Sequence, residues 1–285
     1  MLSLYQKDVL FLNTLLNRVV QKIIFMKRRK FLHASLAATA GMATLGSSAS
    51  AGERPATQKE IYEWREYDMR FGVDRGLLEQ YFKTALIPAL NKYGVKTVGV
   101  FKAWKETEPA KWYVLIPYAS IDSYLSVNTK VKADADYIKN SAAYNSIPAD
   151  KPVYNRFTAS LMTAFEGWPV IAVPPGAPRI FELRTYEGYS EDAVRRKVKM
   201  FHDGEFDIFK RAKLNPVFFG EVIAGDKLPR ITYMLTCNNM EERDKGWGAF
   251  VADADWKRLI AAPQYANTVS KIINTFLVPT AYSQV

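Results

Sequence analysis

From Ile180 to Tyr186 the side chains change character at every step. Phe181, Leu183 and Thr185 fall on one side of an extended chain; Glu182, Arg184 and Tyr186 fall on the other. A period of two predicts a strand. The period then lengthens. Ser190 stands as an N-cap before Glu191 and Asp192, and Val194, Val198, Phe201, Phe206 and Phe209 supply an apolar helical stripe. Two apolar runs, Pro216–Val222 and Arg230–Thr236, predict two more strands. Asn239 opens a second helix, and a last strand leads into the terminal segment.

The same order occurs earlier in the chain. A shift of 119 residues lays "IYEWREY" (61–67) on "IFELRTY" (180–186) and "WYVLIPY" (112–118) on "ITYMLTC" (231–237). It also lays "ADADY" (133–137) on "ADADW" (252–256). The shift holds without a gap from Ile61 to Ala143, after which the first copy is longer by about eight residues. The first helix of copy one spans roughly residues 75–93 and contains Pro88, so a kink is expected there; Gly94 ends it. Its next strand is placed at Val95–Phe101, and Ser120 caps its second helix. Asp136 and Asp255 are expected to cap the short helix of each ADAD phrase, with Tyr137 and Trp256 pinning it to the core.

Each unit reads βαββαβ, the ferredoxin-like order. The fold class is α+β: two tandem ferredoxin-like units whose open sheet faces cover one another in a pseudo-dimeric α/β barrel. The boundaries are a leader at 1–51, a first domain at 60–168, a Pro-rich linker at 169–179 and a second domain at 180–285.

Tyr62, Trp64, Phe181 and Leu183 are expected under the helices. Glu63, Arg65 and Tyr67, with Glu182, Arg184 and Tyr186, are then expected on the open faces, lining the space between the sheets. Two readings stand side by side. Each Glu–Arg pair is a structural ion pair that fixes register, or the pairs orient a small, partly apolar ligand.

The chain has 285 residues and a net charge of +10. Seven of its 39 Lys/Arg and one of its 29 acidic residues fall in residues 1–51, so the remainder is only mildly basic. No basic stripe is left for a nucleic acid. The leader carries Arg28-Arg29, an apolar stretch at 34–45 and the small-x-small site Ala49-Ser50-Ala51. This resembles a twin-arginine signal at 26–51, and Met26 is the expected start of translation. The mature protein is expected to be periplasmic or secreted, with no membrane contact once the leader is cleaved. A homo-oligomer is compatible with the sequence.

Chemistry-bearing groups are few. Cys237 is the one cysteine, so no intrachain disulfide forms. No phosphate loop, nucleophile elbow or dinucleotide fingerprint is present. No catalytic set and no cofactor are expected; His202, the one histidine after the leader, is the candidate for the alternative, a haem or metal ligand.

"FELRTY" (181–186), "FVADADWKRL" (250–259) and "LVPTAYS" (277–283) together resemble the NIPSNAP family of the dimeric α/β-barrel superfamily. Copy one matches more loosely, with "EWREY" (63–67) and an end, "EGWP" (166–169), that lacks the PTxYS phrase. The resemblance implies the barrel fold and a binding or interaction role of undefined activity. It implies, as the alternative, a cofactor-free oxygenase or a haem-using enzyme, since relatives in the superfamily work in a cavity between helices and sheet or inside the barrel.

Overall fold

Strand pairing follows the hydropathy pattern closely. The computed structural model describes residues 58–105, 108–176 and 179–285; the twin-arginine signal expected at 26–51 lies outside the described residues. Copy one contributes β1 (Ile61–Met69), β2 (Gly99–Ala103), β3 (Lys111–Tyr118) and β4 (Tyr154–Ala164). Copy two contributes β5 (Ile180–Glu187), β6 (Asn215–Ala224), β7 (Arg230–Cys237) and β8 (Lys271–Pro279). Within each copy the order is that of a ferredoxin-like sheet, 4-1-3-2 and 8-5-7-6. The free edges of the two sheets then pair with each other, β2 with β8 and β4 with β6, and close an eight-stranded barrel. Every strand pair is antiparallel.

Helices cover the outside of each sheet. In copy one these are α1 (Gly76–Tyr81), α2 (Ile87–Lys92), α3 (Ile121–Ala133), α4 (Ala135–Asn140) and α5 (Ala142–Asn145). In copy two they are α6 (Glu191–Met200), α7 (Phe206–Arg211), α8 (Met240–Ala252) and α9 (Ala254–Ala261). Ser120, Ser190 and Asn239 accept a backbone N–H at the starts of α3, α6 and α8, as expected of these caps.

The barrel interior corrects the assignment of faces. Tyr62, Trp64, Phe181 and Leu183 point inward, where they pack with Phe101, Phe218, Met234 and Leu277. The Tyr62 and Phe218 ring centroids lie 5.1 Å apart and those of Phe101 and Phe181 5.0 Å apart. Burying each such side chain contributes about 1.5–3 kcal/mol. The Glu–Arg–Tyr rows point outward, beneath the helices. The physical reason is closure: a filled barrel has no water inside, whereas the helix layer can bring polar partners to a charged row. Small residues make room for the aromatics. A Cβ on Gly99 would lie 2.5 Å from the Phe101 ring, and one on Gly220 would lie 2.8 Å from Cβ of Met162.

Three local expectations also shift. β2 begins at Gly99, four residues later than the apolar run. Pro88 is the second residue of α2, directly after a π-helical turn rather than in the middle of an α-helix. A π-helical segment, Phe82–Leu86, precedes it. The matching segment of copy two, Phe201–Glu205, is also π-helical with Asp207 where copy one has Pro88, and it bends at Gly204, whose φ/ψ are not helical.

Finally, the caps of the ADAD phrases are Asp134 and Asp253, not Asp136 and Asp255. Asp134 accepts from Tyr137 N at 2.9 Å, and Asp253 from Asp255 N at 2.8 Å. Each is also held from the end of the first helical stretch of its repeat: Asp134 by Lys92 Nζ at 2.6 Å and Tyr93 Oη at 2.8 Å, Asp253 by Arg211 Nε at 2.9 Å. Tyr137 and Trp256 pack on the cores of their repeats.

The hydrogen bonds of Arg211 and the α9 backbone hold the Asp253 carboxyl down at about 2. A carboxyl lowered in the folded state adds stability above its unfolded value, near 3.9. That stability is lost as pH falls through about 2. Asp134→Ala and Asp253→Ala are expected to lower the melting temperature by a few degrees at pH 7, while Asp136→Ala leaves it nearly unchanged. Thermal denaturation followed by circular dichroism compares the three.

Candidate ligand cavity of the second repeat

Three outward side chains of β5 start the site. Arg184 Nη1 donates to Glu182 Oε1 at 2.6 Å, and Arg184 Nη2 donates to the Tyr186 hydroxyl at 3.0 Å. The neighbouring strand places Tyr233 opposite Arg184, and the Tyr186 and Tyr233 hydroxyls are 2.7 Å apart. From α8, Arg243 donates to both oxygens of Glu182, and Trp247 Nε1 donates to Glu182 Oε2 at 2.9 Å. Trp247 also stacks on Arg184, whose guanidinium carbon is 4.2 Å from the ring centroid. Burial alone would push Glu182 up; the bonds from Arg243, Trp247 and Arg184 outweigh it and hold the carboxyl below its usual range.

The first helical stretch adds a second buried pair. Lys197, on α6, donates to Glu205 in the π segment. Both are almost wholly buried. On an uninterrupted α-helix two residues eight apart differ in direction by roughly 80°. A π segment absorbs one extra residue, so the pair behaves as if seven apart, about 20° off a common line. The shared π segment thus aims positions 197 and 205 at one space. Burial raises the Glu205 carboxyl above its usual range, against the pull of Lys197.

These groups floor a cavity of about 440 Å³ between the sheet and the helices of copy two. Its walls are Phe209, Trp247, Phe250 and Trp256, with Met200 and Tyr265. Val251, Ile260 and Ile272 also line it and are each more than half exposed, so they mark the mouth. A volume in this range suits a small organic molecule.

Copy one departs from this at the same positions. Leu78 and Leu86 stand at the places of Lys197 and Glu205, Val114 at that of Tyr233 and Asn128 at that of Trp247. Leu78, Tyr81 and Leu86 are buried, and Tyr81 stacks on Tyr144 at 3.9 Å. Tyr144 is the residue from which the first copy's extra length begins. The Glu63–Arg65 pair persists at 2.6 Å, with the Tyr118 hydroxyl donating to Glu63 at 3.2 Å. Tyr67 packs edge-on against Phe82.

The six residues expected to share one space therefore form two triads beneath separate helix layers. Glu63, Arg65 and Tyr67 lie in the packed core of copy one. Arg184 and Tyr186 reach the cavity of copy two, and Glu182 supports them from one side. Lys197, Glu205, Tyr233 and Trp247 are functional candidates that strand periodicity does not reveal. The repeat itself carries the signal: a Lys and a Glu replace two leucines on the core stripe of the helix.

His202 is occupied elsewhere. Its Nδ1 lies 2.8 Å from Val198 O, and its Nε2 accepts from Gly167 N at 2.9 Å. A haem or metal bond would have to break one of these. Burial pushes the Cys237 thiol up to about 11, unsuited to a nucleophile at neutral pH.

Residues 181–284 match the model of the NIPSNAP family. A candidate monooxygenase of Lactobacillus acidophilus aligns over 78% of this chain and 94% of its own, at 11% identity and a TM-score of 0.48. A NIPSNAP family protein of unknown function from Agrobacterium tumefaciens aligns over 37% of this chain and 91% of its own, at 19% identity and a TM-score of 0.34. No curated protein matches the chain. The cavity therefore lies in the repeat whose residues 181–284 match the NIPSNAP family model, and that repeat closes into one barrel with the looser copy before it.

Proposed function

We propose that the protein is an exported binding protein for a small, partly apolar ligand, held in the cavity of the second repeat. The first repeat serves as the structural half of the barrel. One observation carries this reading: copy two keeps a buried Lys–Glu pair, an arginine and two tyrosines around an open space of about 440 Å³, where copy one has leucines. Buried charges are costly and add little net stability over a well-packed apolar pair. Copy one demonstrates that the fold accepts the apolar solution. Retaining the charged one is economical only if something uses it. Export rests on Arg28-Arg29 and the Ala49-Ser50-Ala51 site.

Glu205 favours a second reading, a cofactor-free enzyme. A carboxyl raised by burial and lining a cavity is suited to accept or return a proton. Under this reading Glu205→Gln keeps ligand affinity and abolishes turnover.

The double variant Lys197→Leu/Glu205→Leu copies the first repeat into the second. It is expected to fold with a melting temperature within a few degrees of the native protein and to lose its ligand. Native mass spectrometry of protein exported by its own host reads this as bound mass on the native chain and none on the variant. Equal bound mass on both would refute the proposal.

Lys197→Leu alone strands the Glu205 carboxyl and is expected to cost about 3–5 kcal/mol at pH 7. Because a raised carboxyl stabilises the fold below its unfolded value and loses that contribution as pH rises through its folded value, this variant regains stability when the pH is lowered from 7 to 5. Urea denaturation at the two pH values measures the difference.

A further inference from the structure

Resting on the cavity reading above, we infer that the ligand is a monoanionic amphiphile that enters head first, with a carboxylate or similar anion at the floor and an apolar body reaching the mouth. The cavity has its polarity inverted relative to an ordinary surface cleft. Its charged groups lie deep, Arg184, Lys197 and Glu205 being 8%, 5% and 2% exposed, among the equally buried Phe209, Phe250 and Met200. Its rim is mainly apolar, with Val251, Ile260 and Ile272 at 58%, 56% and 52% exposed and Asn267 the exposed polar residue beside them. A polar molecule would leave that rim unmatched, and a purely apolar one would strip water from the floor without replacing its hydrogen bonds.

The sign of the head follows from the charge count. Glu182 is bonded by two guanidiniums, those of Arg184 and Arg243. Arg243 shares its second carboxylate, Asp244, with solvent, that side chain being 65% exposed. Lys197 and Glu205 balance each other. Of the charged groups that line the cavity itself two are cationic, Arg184 and Lys197, and one is anionic, Glu205, so the lining carries one more positive than negative group, with Glu182 behind Arg184. Arg184 Nη2 donates one hydrogen to Tyr186, and a primary guanidinium nitrogen carries a second. The Tyr186–Tyr233 hydroxyl pair borders the same space. An incoming anion thus meets a guanidinium and the one hydroxyl hydrogen that the tyrosine pair does not use, the charge-assisted arrangement that is strongest in a dry site.

The test uses the mature protein and isothermal titration calorimetry with two bodies, decyl and 2-naphthyl, each bearing a carboxylate, an alcohol or an ammonium head. In whichever body binds, the carboxylate is expected to bind about tenfold or more tightly than the other two. Arg184→Gln is expected to erase that preference; Glu182 keeps Arg243 and Trp247, so no buried carboxylate is abandoned. As a variant that leaves the interior untouched, Ile260→Glu at the exposed rim is expected to weaken carboxylate binding several-fold more than Ile260→Lys. Binding of the alcohol or ammonium as tightly as the carboxylate, lost in the Lys197→Leu/Glu205→Leu protein, overturns the anionic head while the cavity reading stands. Absence of binding by all six compounds overturns the inference, and bound mass on the host-exported native protein decides separately whether the cavity reading survives.

Discussion

Closure of the sheet is the constraint from which the other features follow. A four-stranded ferredoxin-like sheet ends in two strands with unpaired backbone groups. Here β2 and β4 of one repeat meet β8 and β6 of the other, and no edge remains. The closed interior excludes water and must be filled. Aromatic and aliphatic residues fill it, with glycine where a ring needs the space. The Glu–Arg–Tyr rows of the same strands occupy the opposite face, where the helix layers supply them with partners, while Thr185 bonds with Thr232 and Arg230 with Ser160 on the buried strands themselves.

That arrangement puts the chemistry between helices and sheet. The backbone plan is shared by both copies, with a π segment at the same register in each and an added kink at Gly204 in copy two. The plan aims two side chains of the first helical stretch at one space, and their identity decides the rest. Leucines in copy one join a large apolar core. A Lys–Glu pair in copy two stands beside a cavity walled by aromatic rings.

Covalent fusion makes this divergence available. In a symmetric homodimer any change appears in both sites at once. In a single chain one half can keep its site while the other fills its own. The halves remain mutually dependent, because the terminal segment of copy two crosses to copy one. Thr280 N and Gln284 N donate to Val100 O and Val98 O, and Val285 reaches the barrel core.

The sequence by itself determined the duplication, the βαββαβ order, the helix caps at Ser120, Ser190 and Asn239, and the barrel as the way two open sheets cover each other. These rest on periodicity and local hydrogen bonding, which neighbouring residues decide. It did not determine which face of β1 and β5 turns inward. Tyr62 and Trp64 suit a core whether it lies under helices or inside a barrel, and a period of two is blind to that choice. Nor did it separate Asp134 from Asp136, since either can cap and only the positions of Lys92 and Tyr93 select between them. The cavity was the least legible feature. Arg184, Lys197, Glu205 and Trp247 come from a strand and three helical segments, and only tertiary packing, with the extra residue of the π turn, brings them to one space.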